Sequence, residues 1–76
     1  MNLKHFQDAV KKLADGRTHT SQVEKWYYAV SGRTETLFRG AVFSREEPRE
    51  IFSGWGETPE DTIANLAKAL AEGNEL

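Results

Sequence analysis

Leu3, Phe6, Val10 and Leu13 recur at spacings of three and four residues, with Ala9 and Ala14 beside them. Lys4, Gln7, Asp8, Lys11 and Lys12 take up the remaining surface. That period turns one apolar stripe toward a core and predicts an amphipathic helix over Leu3 to Ala14. Asn2 is placed to cap its first amides and Gly16 to end it in the left-handed conformation. Arg17 to Lys25 reads as a polar connector, within which Ser21-Gln22-Val23-Glu24 also fits a capping box that would open a short helix.

From Glu24 to Val30 the period falls to two, in residues that favour strands, and predicts a first strand. Ser31-Gly32-Arg33-Thr34 supplies turn chemistry, and Thr36 to Ser44 a second strand, so the pair reads as a hairpin. Arg45-Glu46-Glu47-Pro48 is a second turn, because Pro48 has no amide hydrogen for a ladder and the charges require water. A third strand follows over Arg49 to Trp55. Thr58 then stands as an N-cap with Pro59 at the first helical position, while Glu57, Glu60 and Asp61 put negative charge at the positive end of the helix dipole. Ile63, Leu66, Ala67 and Leu70 form the predicted buried stripe of this last helix. Gly73 ends it, and Asn74-Glu75-Leu76 reads as a frayed tail. The pattern as a whole predicts a single α+β domain over residues 1–76: helix, three-stranded antiparallel meander, helix. Both helices should lie on one sheet face, with the other face open to solvent.

Composition narrows the function classes. At 76 residues the chain has room for one core, and a chain of this size buries about 60% of the surface it exposes when unfolded. With no cysteine there is no disulfide framework and no thiolate metal site. The apolar runs fall far short of the ~20 residues that cross a bilayer, and Lys4, His5, Gln7 and Asp8 break up the start, so no membrane partner and a cytoplasmic location are expected. The net charge of −2 conceals an asymmetry, with +4 in residues 1–45 and −6 in residues 46–76.

Candidate chemistry is sparse. His5 and His19, without cysteine or ordered carboxylate spacing, do not make a zinc site. His19 precedes Ser21 but no third residue is spaced to orient the pair, so catalysis is not expected. Gly54-Trp55-Gly56 lacks the lysine and hydroxyl of a phosphate loop, and no cofactor is expected. Trp26-Tyr27-Tyr28 carries more information, because strand alternation sends Trp26 and Tyr28 to one face and Tyr27 to the other. Either Tyr27, Leu37 and Phe43 share the outer face with Lys25 and Arg39, or the assignment is inverted. In both cases an aromatic remains on the open sheet, and tyrosine, tryptophan and arginine are common binding hot spots.

The expected site is therefore a partner-binding surface made of Glu46, Glu47, Glu50, Glu57, Glu60 and Asp61 with Tyr27 and Trp55. It suits a protein partner with a basic surface. The alternative is a nucleic acid held by Lys11, Lys12, Arg17, Arg33 and Arg39 in the basic half. A monomer or a weak dimer through an exposed strand edge is expected.

Three resemblances bear on this. The run Gly56-Glu57-Thr58-Pro59-Glu60-Asp61-Thr62-Ile63-Ala64-Asn65-Leu66 after a strand resembles the end of the HicB-type antitoxin fold, and implies an antitoxin-like partner protein. The element order resembles the double-stranded RNA-binding domain, with Ser31-Gly32-Arg33 in its first strand loop. Glu57, Glu60 and Asp61 stand where that family carries phosphate-gripping lysines, so the resemblance implies the topology. In size and acidity the chain is similar to small phage-encoded inhibitors such as anti-CRISPR proteins, which implies binding to a protein surface built for nucleic acid.

Overall fold

A computed structural model describes residues 1–14, 19–46 and 49–73. The elements run α1 (Leu3–Leu13), β1 (His19–Val30), β2 (Arg33–Ser44), β3 (Glu50–Gly56) and α2 (Pro59–Glu72). The strands form one antiparallel sheet in the order β1-β2-β3, and both helices pack on the same face of it, as the pattern predicted.

Asn2 starts α1 by accepting the His5 amide at 2.8 Å on its side-chain oxygen. The helix stops at Leu13 because Ala14 is already extended. Gly16, the expected stop, lies outside the described residues, as do Arg17, Glu47, Pro48 and the tail from Asn74 to Leu76. Phe6 and Val10 are completely buried, and the Phe6 ring meets Phe38 edge-on at 5.8 Å. Leu3 departs from the predicted stripe. It is 56% exposed, because the first turn of α1 reaches the rim of the core beside Met1, Lys25 and Pro59.

The polar connector is where the sequence misleads. β1 begins at His19 rather than Glu24, and Ser21-Gln22-Val23-Glu24 is strand, paired with Val42, Ala41, Gly40 and Arg39. A capping box is worth about 1 kcal/mol locally. The ladder instead satisfies the inward-facing backbone groups of alternate residues along this edge strand and half-buries Ser21 and Val23, so it wins. At the other end of the hairpin the turn tightens to two residues. Ser31 (φ 51°) and Gly32 (φ 77°) both take the positive φ of a type I′ turn, so Arg33 and Thr34 join β2.

β3 lies one residue further along the chain than predicted at both ends. Its register with β2 shifts between Val42 and Phe43, which face Phe52 and Glu50. Ile51 is the extra residue of this bulge, and the bend carries both Ile51 and Phe52 into the core. The core is completed by Val10, Ala14, Val42 and Leu66.

Gly54 and Gly56 set the distance of α2 from the sheet. A Cβ on Gly54 would lie 2.5 Å from the Leu66 amide nitrogen, and one on Gly56 would lie 2.6 Å from that of Thr62. Without side chains there, the helix backbone rests directly on β3. Thr62, absent from the predicted stripe, is wholly buried in this contact, its hydroxyl 2.8 Å from the Thr58 carbonyl and 3.3 Å from that of Phe38. Leu66 is the fully buried apolar residue of α2, while Ile63, Ala67 and Leu70 are half-buried. The helix is capped as expected: Thr58 accepts the Asp61 amide at 3.1 Å, and Gly73 closes the end at φ 69°.

Candidate functional site: the open face of the sheet

The register decides which residues meet on the face that the helices leave bare. Phe38, Gly40 and Val42 point to the helices, as do their partners Lys25, Val23 and Ser21 on β1 and Gly56, Gly54 and Phe52 on β3. Gln22, Glu24, Trp26, Tyr28 and Val30 of β1 therefore share the opposite face with Glu35, Leu37, Arg39, Ala41 and Phe43 of β2 and with Ser53 and Trp55 of β3.

Trp26, Tyr28 and Trp55 remain 51%, 42% and 41% exposed on that face. Trp26 stands directly across from Leu37, Tyr28 two residues further along β1, and Trp55 approaches from β3. Together with Tyr27 they border an open depression of about 320 Å³ whose lining is almost wholly apolar. With 150–250 Å² of surface on each large aromatic, these exposures leave about 300 Å² of aromatic surface in solvent. That matches the largest apolar patch of an ordinary monomer, a size often associated with function.

Arg39 occupies the middle of the face at 13% exposure. Its guanidinium pairs with Glu24 at 3.5 Å and with Glu50, and stacks on the Trp55 ring at 5.3 Å. Glu24 also accepts the indole N–H of Trp26 at 2.9 Å. One carboxylate thus ties Trp26 to the arginine that supports Trp55, which fixes both rings before a partner arrives. The other arginine of the face, Arg33, is bound to Glu35 at 2.6 Å.

β3 ends opposite Phe38, so β1 and β2 continue without it as a two-stranded ribbon from Trp26 and Leu37 to the turn. At ~3.3 Å per residue the ribbon extends roughly 17 Å, and the molecule measures 43 × 24 × 21 Å. Tyr27 lies on the helix side of this ribbon, 64% exposed, under the Lys25 ammonium at 5.2 Å.

The expected site residues are separated by this arrangement. Glu50 and Trp55 belong to the open face; Glu46 is exposed in the turn before β3, and Glu47 lies outside the described residues. Glu57, Glu60 and Asp61 gather at the opposite end of β3, about 20 Å away along the strand. There Glu60 pairs with the Met1 amino group at 3.6 Å. Tyr27 is turned away from Leu37 and Phe43, so the inverted assignment of the aromatics describes Trp26 and Tyr28. Trp26, Tyr28 and Leu37 were absent from the expected site. Their signal was the two-residue turn: counting back from Val30 and Arg33 pairs Trp26 with Leu37.

The basic residues are equally dispersed. Lys11 and Lys12 are on α1, behind the sheet, whereas Arg33 and Arg39 are already paired on its open face. His19 and Ser21 line a crevice with Lys11 and Arg45 in which no described lining residue is a carboxylate. Among the described residues no group of three His, Cys, Asp or Glu is placed to hold a metal, and no helix is long and apolar enough to cross a membrane.

No family model matches the chain, and neither a curated protein nor a solved structure matches it. Its α-β-β-β-α order is consistent with the topology that the antitoxin and RNA-binding resemblances implied.

Proposed function

We propose that the chain is a non-enzymatic protein-binding module that docks the open face of its sheet onto a basic surface of a partner protein. The observation that carries this reading is the set of half-exposed aromatics held around a largely covered, ion-paired arginine on an uncovered face. Aromatic anchors that are fixed in advance lose little freedom on binding, which leaves more of the contact energy for affinity. A standard interface covers about 800 Å² on each partner. The aromatic strip would form its centre and the charged residues around it the rim.

Charge supports a basic partner. The open face carries Glu24, Glu35 and Glu50 against Arg33 and Arg39; Glu46 is exposed beside Arg45 and Arg49 in the turn before β3 and Glu57 at its far end, which leaves one negative charge in excess among these described residues. Such a rim steers a positive surface and repels phosphate. A module of this kind that covers a surface built for nucleic acid would act as an inhibitor, in the manner of phage-encoded inhibitors such as anti-CRISPR proteins. An antitoxin covering its toxin would use the same physics.

Affinity capture from nuclease-treated host lysate, at low and moderate salt, tests the reading. The expected result is a protein partner that survives nuclease, weakens as salt rises and is captured less well by E46K/E57K. Recovery of nuclease-sensitive material alone would overturn it in favour of nucleic-acid binding.

A further inference from the structure

We infer that the depression between Trp26 and Trp55 seats an arginine side chain presented by the partner. This inference rests on the docking reading and gives it a chemistry. Trp26 and Trp55 belong to β1 and β3, so two strand spacings, about 10 Å, separate their backbones laterally. A flat group stacked between two rings needs about 7 Å. Leu37 lies between them as the floor and Tyr28 closes one end.

An aromatic face attracts a cation through its quadrupole. The described residues already use this contact: Arg39 lies over Trp55 at 5.3 Å, and Lys25 over Tyr27 at 5.2 Å and over Phe38 at 5.6 Å. The charges around the depression complete the case. Glu24 is bonded to the edge of the Trp26 ring, and Glu35 is the register partner of Tyr28. Against Arg33 and Arg39 stand three carboxylates, Glu24, Glu35 and Glu50, so these ion pairs leave one negative charge in excess to favour an incoming cation.

The apolar lining selects between the two cationic side chains. A lysine ammonium would surrender strongly held water to walls that offer nothing in return. A guanidinium is flat and weakly hydrated, so it stacks on such walls while its edge reaches the carboxylates.

Trp26 and Trp55 are the only tryptophans in the chain, so their emission reports on this depression directly. The experiment is a fluorescence titration of the whole protein with capped peptides of alternating glycine and arginine, glycine and lysine, or glycine and leucine, and with oligothymidylate. The arginine peptide is expected to give a saturable change that weakens as salt rises. The lysine peptide should bind about tenfold more weakly, and W26A and W55A should each lose about tenfold in arginine affinity. A leucine peptide or oligothymidylate that binds as well as the arginine peptide would overturn the inference, as would silence toward arginine. Silence toward arginine with partner capture still dependent on the two tryptophans would remove the arginine and leave the docking face standing. Loss of both dependences would remove the two readings together.

Discussion

Arg39 and Trp55 face each other across β2 and β3, with the guanidinium carbon 5.3 Å from the centre of the indole ring. The arginine is also held by Glu24 of β1 and Glu50 of β3, which are themselves about three-quarters buried. Removing one member of such a group leaves the others desolvated and unmatched, whereas replacing all of them with neutral side chains of similar size costs much less.

R39A is therefore expected to lower the unfolding free energy by about 2–3 kcal/mol, somewhat below the loss for a fully buried pair. The triple variant R39M/E24Q/E50Q should recover most of that loss. Urea denaturation monitored by circular dichroism reads both. Equal stability of R39A and wild type would reduce the ion pairs to surface decoration.

Gly54 and Gly40 make a second comparison. Both face the helices, but a Cβ on Gly54 would strike the backbone of Leu66 at 2.5 Å, while one on Gly40 would meet the Val10 methyl at 3.1 Å. A side-chain methyl can move by a few tenths of an ångström and a packed helix backbone cannot. G54A should cost about 2–3 kcal/mol, as overpacking does, and G40A less than about 1 kcal/mol. Thermal unfolding of the two variants side by side checks the order, and a reversed order would contradict the close seating of α2.

Ser31 holds the first position of the hairpin turn at φ 51°, in the region where a side chain other than Asn, Asp or Gly is strained. S31N should stabilise the protein by about 0.5–1 kcal/mol, because Asn-Gly is the preferred pair for this turn. S31V should destabilise it. The shift in denaturation midpoint gives the sign directly, and S31N below wild type would exclude the type I′ geometry.

The sequence carried the fold further than the site. Helix periodicity, the Asn2 and Thr58 caps and the Gly73 stop placed α1 and α2 to within a residue, because these signals are local. The first half of β1 was hidden, because Ser21 and Gln22 have no strand preference, interrupt the pattern between Thr20 and Val23, and become strand only through pairing with β2. Thr62 was hidden for a related reason. Its burial depends on glycines in β3, a tertiary fact that helix periodicity does not contain.

The site suffered most from one short count. Reading Ser31 to Thr34 as the turn, instead of Ser31-Gly32, left open which residues of the two strands share a face, and a one-residue slip exchanges the faces of a strand. With the turn counted correctly, Trp26, Tyr28, Leu37 and Arg39 fall on one face by arithmetic. The acidic residues are near one another along the chain but divided by the length of β3, a separation that the predicted strand over Arg49 to Trp55 already implied.

The central claim is that the open aromatic face carries partner binding, and the most direct measurement is partner capture by wild type and W26A/W55A from the same nuclease-treated lysate. Both rings are about half exposed, so the double variant should stay folded by circular dichroism. The account predicts that it loses the partner by at least about 30-fold, the effect of removing a binding hot spot. Undiminished capture by the folded double variant would contradict it.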